Sequence, residues 1–214
     1  IHKLPAILKN HPKAVVEFNK AIIEATQPYC VAYKINTAFY EAAGAKGWEW
    51  MEETLHYIPS THLKIADAKR GDIGHTAIQY AKAFFETLSF DAITLSPYMG
   101  KDSLEPFLHY KDKFAIVLAL TSNQGAEDFE LLPTNNGLLY ETVLKKISHL
   151  ATPDNLMFVV GATRPEAFLA IRNIVPEHFL LIPGIGAQGG DLDMVCKYAL
   201  HDNVNILINV SRHI

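Results

Sequence analysis

The chain has 214 residues, 49% hydrophobic and 20% charged, a balance that supports one large folded domain or two small ones. Its net charge is −4 and its lysines and arginines are scattered singly or in pairs, so no surface for nucleic acid or an anionic membrane is expected. No apolar run approaches the roughly 18 residues of a membrane span and no signal peptide is visible, which points to a cytoplasmic protein with a small-molecule partner. Cys30 and Cys196 lie in apolar segments without CxxC spacing and are expected to be reduced core thiols.

The first element is "HPKAVVEFNKAIIEAT", where Pro12 opens a helix whose apolar stripe is Val15, Phe18, Ile22 and Ala25. Strands are expected at 29–35, 62–69, 91–97, 114–120, 155–163, 179–186 and 205–212, each a short apolar run bounded by turn residues. Helical periods separate them at about 47–57, 75–88, 101–109, 138–150, 165–174 and 191–200. This alternation is the signature of parallel βα units. The chain starts on a helix and stops on a strand. A (β/α)8 TIM barrel that lacks its first strand and last helix has that order, with seven strands in place of eight, whereas an open doubly wound sheet is the alternative. No repeat or linker divides the chain, so residues 1–214 are expected to form a single barrel domain, truncated at both ends.

The strand "HLKIADAK" ends in charge. Leu63, Ile65, Asp67 and Lys69 alternate onto one face, which in a barrel points inward and puts an acid and a base at the carboxyl end, where such barrels keep their active sites. Asp72 lies beyond, in a loop bounded by Gly71 and Gly74, and can serve its own site or a neighbour's. Lys34 ends the preceding strand beside the small Cys30 and Ala32. A rigid ion-pair network would be a structural reading of these charges. Desolvating four of them in a cleft is costly, however, and serves chemistry more readily than stability. A lysine held between carboxylates keeps its proton, which suits a donor.

Two later strands carry an anion signature. "LLIPGIGAQGGDLDMV" passes through Gly184, Gly186, Gly189 and Gly190 into a helix N-terminus, where backbone N–H groups can approach a ligand. "INVSR" ends one strand later in Arg212, a bidentate phosphate partner in type, with Gln188 as an added amide. By the barrel count these are strands seven and eight, whose loops frequently build a phosphate site. The long connection "LALTSNQGAEDFELLPTNNG" has the length of a lid, although 127–136 reads equally well as a surface insertion. The histidines show no HExxH or HxH spacing, so no metal site is expected. His75 reads as a loop residue, and Trp48, Trp50 and Met51 as packing.

Taken together, "AYKIN", "DAKRGDIGHT", "LTSN", "PGIGAQGGD" and "NVSR" resemble the orotidine 5'-phosphate decarboxylases, in the branch carrying "DAKRGDIG", along essentially the whole chain. The resemblance implies a homodimeric TIM barrel that converts orotidine 5'-monophosphate to UMP in pyrimidine biosynthesis without metal or organic cofactor. It implies a charged array of Lys34, Asp67 and Lys69, with Lys69 protonating C6, and an Asp72 that enters the partner's site together with Ile73 and Thr76. Ser122 would contact the pyrimidine, Gln188 and Arg212 would hold the phosphate, and Pro183 would line the pocket. The family's ribose-binding aspartate at the end of the first strand has no counterpart here and is expected upstream of Ile1. Competing readings are a metal-dependent sugar-phosphate decarboxylase or aldolase of the same suprafamily, which would need an acid where Lys34 stands, and a non-catalytic phosphate-binding barrel.

Overall fold

In a computed structural model, residues 4–186, 188–200, 203–212 and 214 are described. The elements run α1 (Ala14–Thr26), β1 (Ala32–Asn36), α2 (Ala38–Glu41), α3 (Ala45–Tyr57), β2 (Leu63–Arg70), α4 (Gly74–Lys82), β3 (Ala92–Leu95), α5 (Glu105–Leu108) and β4 (Phe114–Leu120). They continue with a hairpin of β5 (Pro133–Thr134) and β6 (Gly137–Leu138), then α6 (Leu139–Ile147), β7 (Leu156–Val160), α7 (Ala167–Ile174), β8 (Phe179–Ile182), α8 (Leu192–Ala199) and β9 (Ile206–Ile208). Each expected strand is present: β4 has the expected bounds, β1 and β2 start later and run one residue further than expected, and the others are shorter. The short α2 was not anticipated, and the helix expected over 75–88 is α4 followed by a wider π turn, Ala83–Thr87.

Two compact units share β2 and β3. The first comprises Ile1–Ala68 and Lys82–Ile93, the second Lys69–Ala81 and Thr94–Ile214. In the first, β1 and β2 pair in parallel, with Ala32 opposite Leu63 and Asn36 opposite Asp67. The start of β3 joins β2 through Asp91, which gives its N–H to the Lys64 carbonyl and accepts the Lys64 N–H on its carboxylate, both at 2.9 Å. The core of this unit is Val16, Ile23, Met51, Leu55, Phe84 and Phe90. Trp48 leans on Phe84 with ring centroids 6.4 Å apart, the packing role expected of it.

In the second unit the strand order is the ends of β2 and β3, then β4, β7, β8 and β9. β4 pairs β7, β7 pairs β8 and β8 pairs β9, all in parallel. β7 is buried along its whole length, as a strand covered on both faces must be. Phe107, Ile116, Leu144, Phe158, Phe168, Leu180 and Val195 fill the interior beneath helices whose polar faces are exposed. Cys30 and Cys196 are free but half-buried, so neither is the core thiol expected from its apolar neighbours. No described helix is long and apolar enough to cross a membrane.

Behind β8 sits a buried basic cluster. Among the described residues Arg172, at the end of α7, donates to backbone carbonyls: Ala199 and Asn205 at 2.8 Å, His178 at 2.8 Å, Val175 at 3.3 Å and Pro176 at 3.4 Å. Burial lowers its pKa to about 10. His178 is buried beside it against Phe158, with ring centroids 5.4 Å apart, and neither of its ring nitrogens has a hydrogen-bond partner among the described residues. Burial first, and the Arg172 charge second, hold the His178 pKa below its ordinary value of 6.5. The unfolded chain therefore binds this proton more readily than the folded one. Its contribution to stability is whole above pH 6.5 and is lost as pH falls from there through the depressed folded value. The melting temperature of the protein is expected to drop between pH 7.5 and 5, and less steeply in His178→Phe, which keeps the aromatic packing. Equal acid slopes in the two proteins would show that another group carries the effect.

Candidate functional site

The site is built on strand ends. In the first unit Lys34 stands opposite Ile65 in the parallel register, one step below Asp67, and its long side chain extends along the strands to place Nζ 2.7 Å from Asp67 Oδ2. The two side chains are 16% and 10% exposed, so the pair is largely out of water. Desolvation costs several kcal/mol per ion, and mutual attraction offsets it only with good geometry and further hydrogen bonds. The pair is thus a weak source of stability and a strong source of local field. The expected place of Lys34 at the end of its strand agrees with this contact.

The alternation rule stops short of Lys69. Its φ is +47°, in the left-handed region, although it lies inside β2 and is not glycine. Such a backbone costs about 1–2 kcal/mol at a residue with a Cβ. The Lys69 N–H donates to Thr94 Oγ1 at 3.0 Å, and one residue on, the Arg70 carbonyl accepts the Ser96 N–H at 2.8 Å. Lys69 itself is exposed at the end of the strand. The side-chain direction inferred from strand period therefore does not hold at this residue, because one left-handed step rotates everything beyond it. Arg70, for which the sequence offered no role, lays its guanidinium over the Tyr80 ring at 5.2 Å.

Asp72, Ile73 and Thr76 occupy the following loop and the first turn of α4. Asp72 is half-buried and accepts the Ile73 N–H at 2.8 Å. Ile73 is 48% exposed, and Thr76 is exposed as well. His75 is exposed on the same first turn of α4, not in a loop.

On the other strand ends of the second unit, Ser122 and Gln188 meet: Ser122 Oγ donates to Gln188 Oε1 at 2.7 Å, across the mouths of β4 and β8. Gly161, at the end of β7, permits this approach, since a Cβ there would fall 2.6 Å from the Ser122 nitrogen. Thr163 adds a hydroxyl to the Ser122 carbonyl at 3.2 Å, and the half-buried Pro183 accepts the Ala162 N–H at 2.9 Å. The glycine turn has left-handed φ at Gly184, Gly186 and Gly189. Its N–H groups at Gly186, Gly189 and Gly190 donate within the turn itself, at 3.0, 2.7 and 3.0 Å. These three are therefore not offered to a ligand as expected. Arg212 is exposed just beyond β9. Asp191 caps α8 by accepting the Met194 N–H at 3.0 Å.

Two contributors were missed in the sequence. Thr94 is a lone hydroxyl in the apolar run "AITL", 1% exposed, and that isolation was its signal. Glu130 had no such signal. Its carboxylate accepts both the N–H and the hydroxyl of Thr121, at 2.6 and 2.8 Å, clamping the residue before Ser122. Glu127 pairs with Arg164 at 2.9 Å. The far part of the long loop is therefore tied to the strand ends by charge and is not a loose insertion. A surface cleft of about 540 Å³ lined by Lys111, His149, Thr152 and Asp154 lies at the amino ends of β4 and β7 and contains none of these residues. Among the described residues no three His, Cys, Asp or Glu side chains cluster as a metal site requires.

The profile of the Orotidine 5'-phosphate decarboxylase / HUMPS family matches residues 12–214. The orotidine 5'-phosphate decarboxylase of Christiangramia forsetii is 54% identical over 217 aligned positions, covering all of this chain and 80% of that protein. The structure of Leishmania donovani OMP decarboxylase superposes with a TM-score of 0.89 at 41% identity, over 95% of this chain and 81% of that one. Leishmania donovani UMP synthase gives 0.91 at 43% identity, over 95% of this chain but only 46% of its own length. The fold is that of these TIM-barrel decarboxylases, as the alternation of strands and helices had implied. With a profile match across nearly every residue and close relatives across all of them, this chain belongs to the orotidine 5'-phosphate decarboxylase / HUMPS family.

Proposed function

We propose that this chain decarboxylates orotidine 5'-monophosphate to UMP in pyrimidine biosynthesis, with Lys69 as the proton donor. The observation that carries the assignment of roles is Lys69 itself: an exposed lysine at a strand end, on a strained left-handed backbone, two residues beyond an Asp67 whose carboxylate Lys34 already engages. Strain of this kind persists where the surroundings over-determine it, and it gathers at active sites.

In the reaction the bond between C6 and the carboxylate breaks, its electron pair remains on C6, CO2 departs, and the Lys69 ammonium delivers a proton to that carbon. The ring offers the developing carbanion no obvious electron sink. Rate therefore comes from preorganised charge aimed at C6, with the fixed Lys34 and Asp67 pair orienting the field. Gln188 and Arg212 hold the 5'-phosphate, Ser122 contacts the pyrimidine, and Pro183 lines the pocket. Phosphate binding far from C6 draws the loop after β4 closed over the ring, which converts remote binding energy into transition-state stabilisation.

The enzyme acts as a cytoplasmic homodimer in which Asp72, with Ile73 and Thr76, completes the partner's site. The half-buried Asp72 on an otherwise exposed loop supports this reading. Ultraviolet absorbance of orotidine monophosphate is expected to fall on addition of the protein, unchanged by EDTA. A silent intact dimer would refute the activity, and chelator sensitivity would favour the metal-dependent sugar-phosphate alternative. Mixing inactive Lys69→Ala and Asp72→Ala subunits is expected to restore about one working site per heterodimer. If subunit exchange is confirmed and no activity returns, Asp72 is not shared.

A further inference from the structure

We propose that Thr94 is a positioning residue for Lys69: by accepting the Lys69 N–H, its hydroxyl holds the lysine backbone in the left-handed conformation that presents the ammonium to the reacting carbon. The inference deepens the decarboxylase reading and rests on its assignment of Lys69. Thr94 sits in β3 among Ala92, Ile93 and Leu95, all four at 1% exposure or less, so its hydroxyl has been placed in a dry strand that apolar residues otherwise fill.

The need for that hydroxyl comes from the kink. The Lys69 N–H goes to a side chain, Thr94 Oγ1 at 3.0 Å, and the φ of +47° that follows it turns the Lys69 Cβ and the chain beyond. The ladder is in place one residue later, where Ser96 donates to Arg70 at 2.8 Å. The space beyond is narrow as well, since a Cβ on Gly71 would lie 3.3 Å from Ser96. Thr94 thus supplies, from β3, an acceptor for this N–H of β2. Without it the strand has reason to relax to an extended backbone, and the half-turn of relaxation would swing the Lys69 side chain off its target.

Thr94→Val preserves shape and removes the acceptor, Thr94→Ala removes it with smaller bulk, and Thr94→Ser keeps the oxygen. Each is compared with the wild-type protein for kcat, KM, melting temperature and the crystallographic φ of Lys69. The expected result is a kcat about 10- to 100-fold lower in Thr94→Val and Thr94→Ala, the scale of a small misplacement of a reacting group. KM should stay within about 3-fold, and Thr94→Ser should recover most of the rate. Lys69 should leave the left-handed region in both acceptor-less variants that fold. Unchanged kcat, a defect confined to KM, or a Thr94→Ser as slow as Thr94→Val would each overturn the proposal. If the wild-type protein fails to consume orotidine monophosphate, the decarboxylase reading falls. The backbone part is then still decided by Lys69: a φ retained in Thr94→Val overturns it, and a φ lost supports it.

Discussion

Lys69→Ala is expected to bind UMP with affinity close to that of the unaltered protein and to turn over orotidine monophosphate at least about 10³-fold more slowly, the combined scale of a lost general acid and a lost electrostatic partner. Binding survives because the proposed phosphate contacts, Gln188 and Arg212, lie on other strand ends. Lys69→Arg is expected to fail almost as badly, since a guanidinium keeps the charge but does not release its proton and is planar where the ammonium is compact. Calorimetric titration with UMP and an absorbance assay separate the two effects. Retention of a tenth or more of the activity in Lys69→Ala would remove this residue from the mechanism. The strained backbone adds a second arm. With φ at +47°, Lys69→Gly is expected to be more stable than Lys69→Ala by about 1 kcal/mol, the reverse of the usual order inside a strand.

Arg172→Met is expected to cost about 3–5 kcal/mol of stability, the penalty for dismantling a buried hydrogen-bonded charge, and to lower the melting temperature by roughly 10 °C. The side chain holds five carbonyls, of Val175, Pro176, His178, Ala199 and Asn205, and so ties the end of α7 to the end of α8 and to the segments entering β8 and β9. A thioether of similar length fills the space and satisfies none of them. Arg172→Lys is expected to recover little, because three donors on one nitrogen cannot reach acceptors spread around a planar fork. Urea titration measures the loss. A change below about 1 kcal/mol would mean that these carbonyls find other partners and that Arg172 is not the tie it resembles.

The strands were legible because an apolar run bounded by turn residues is a local feature; "FAIVLAL" and "NLMFVVGAT" needed no knowledge of their neighbours. The meeting of Lys34 and Asp67 was legible for a similar reason, since strand period and strand end together place both side chains at one rim. Lys69 marks the limit. Period-two alternation presumes extended backbone at every step, and nothing in "DAKRGD" announces a left-handed residue that is not glycine. Glu130 was hidden differently. In sequence it is one acid in a polar loop, and its two bonds to Thr121 exist only because the loop folds back nine residues. The glycine turn was recognised as a tight turn, yet the destination of its N–H groups depends on how the turn closes upon itself.

By itself the sequence determined the order of strands and helices and the family to which those motifs belong, because hydrophobic period, glycine and charge act over a few residues. Only the tertiary structure decided the backbone of Lys69, the acceptor that Thr94 supplies, the Ser122–Gln188 contact and the cage around Arg172. The Lys69–Thr94 and Ser122–Gln188 bonds, and those from Arg172 to Ala199 and Asn205, each pair a donor with an acceptor far away in the chain. A buried polar group must find its partner wherever packing has put one, and that partner is chosen by the whole fold and not by neighbours in sequence.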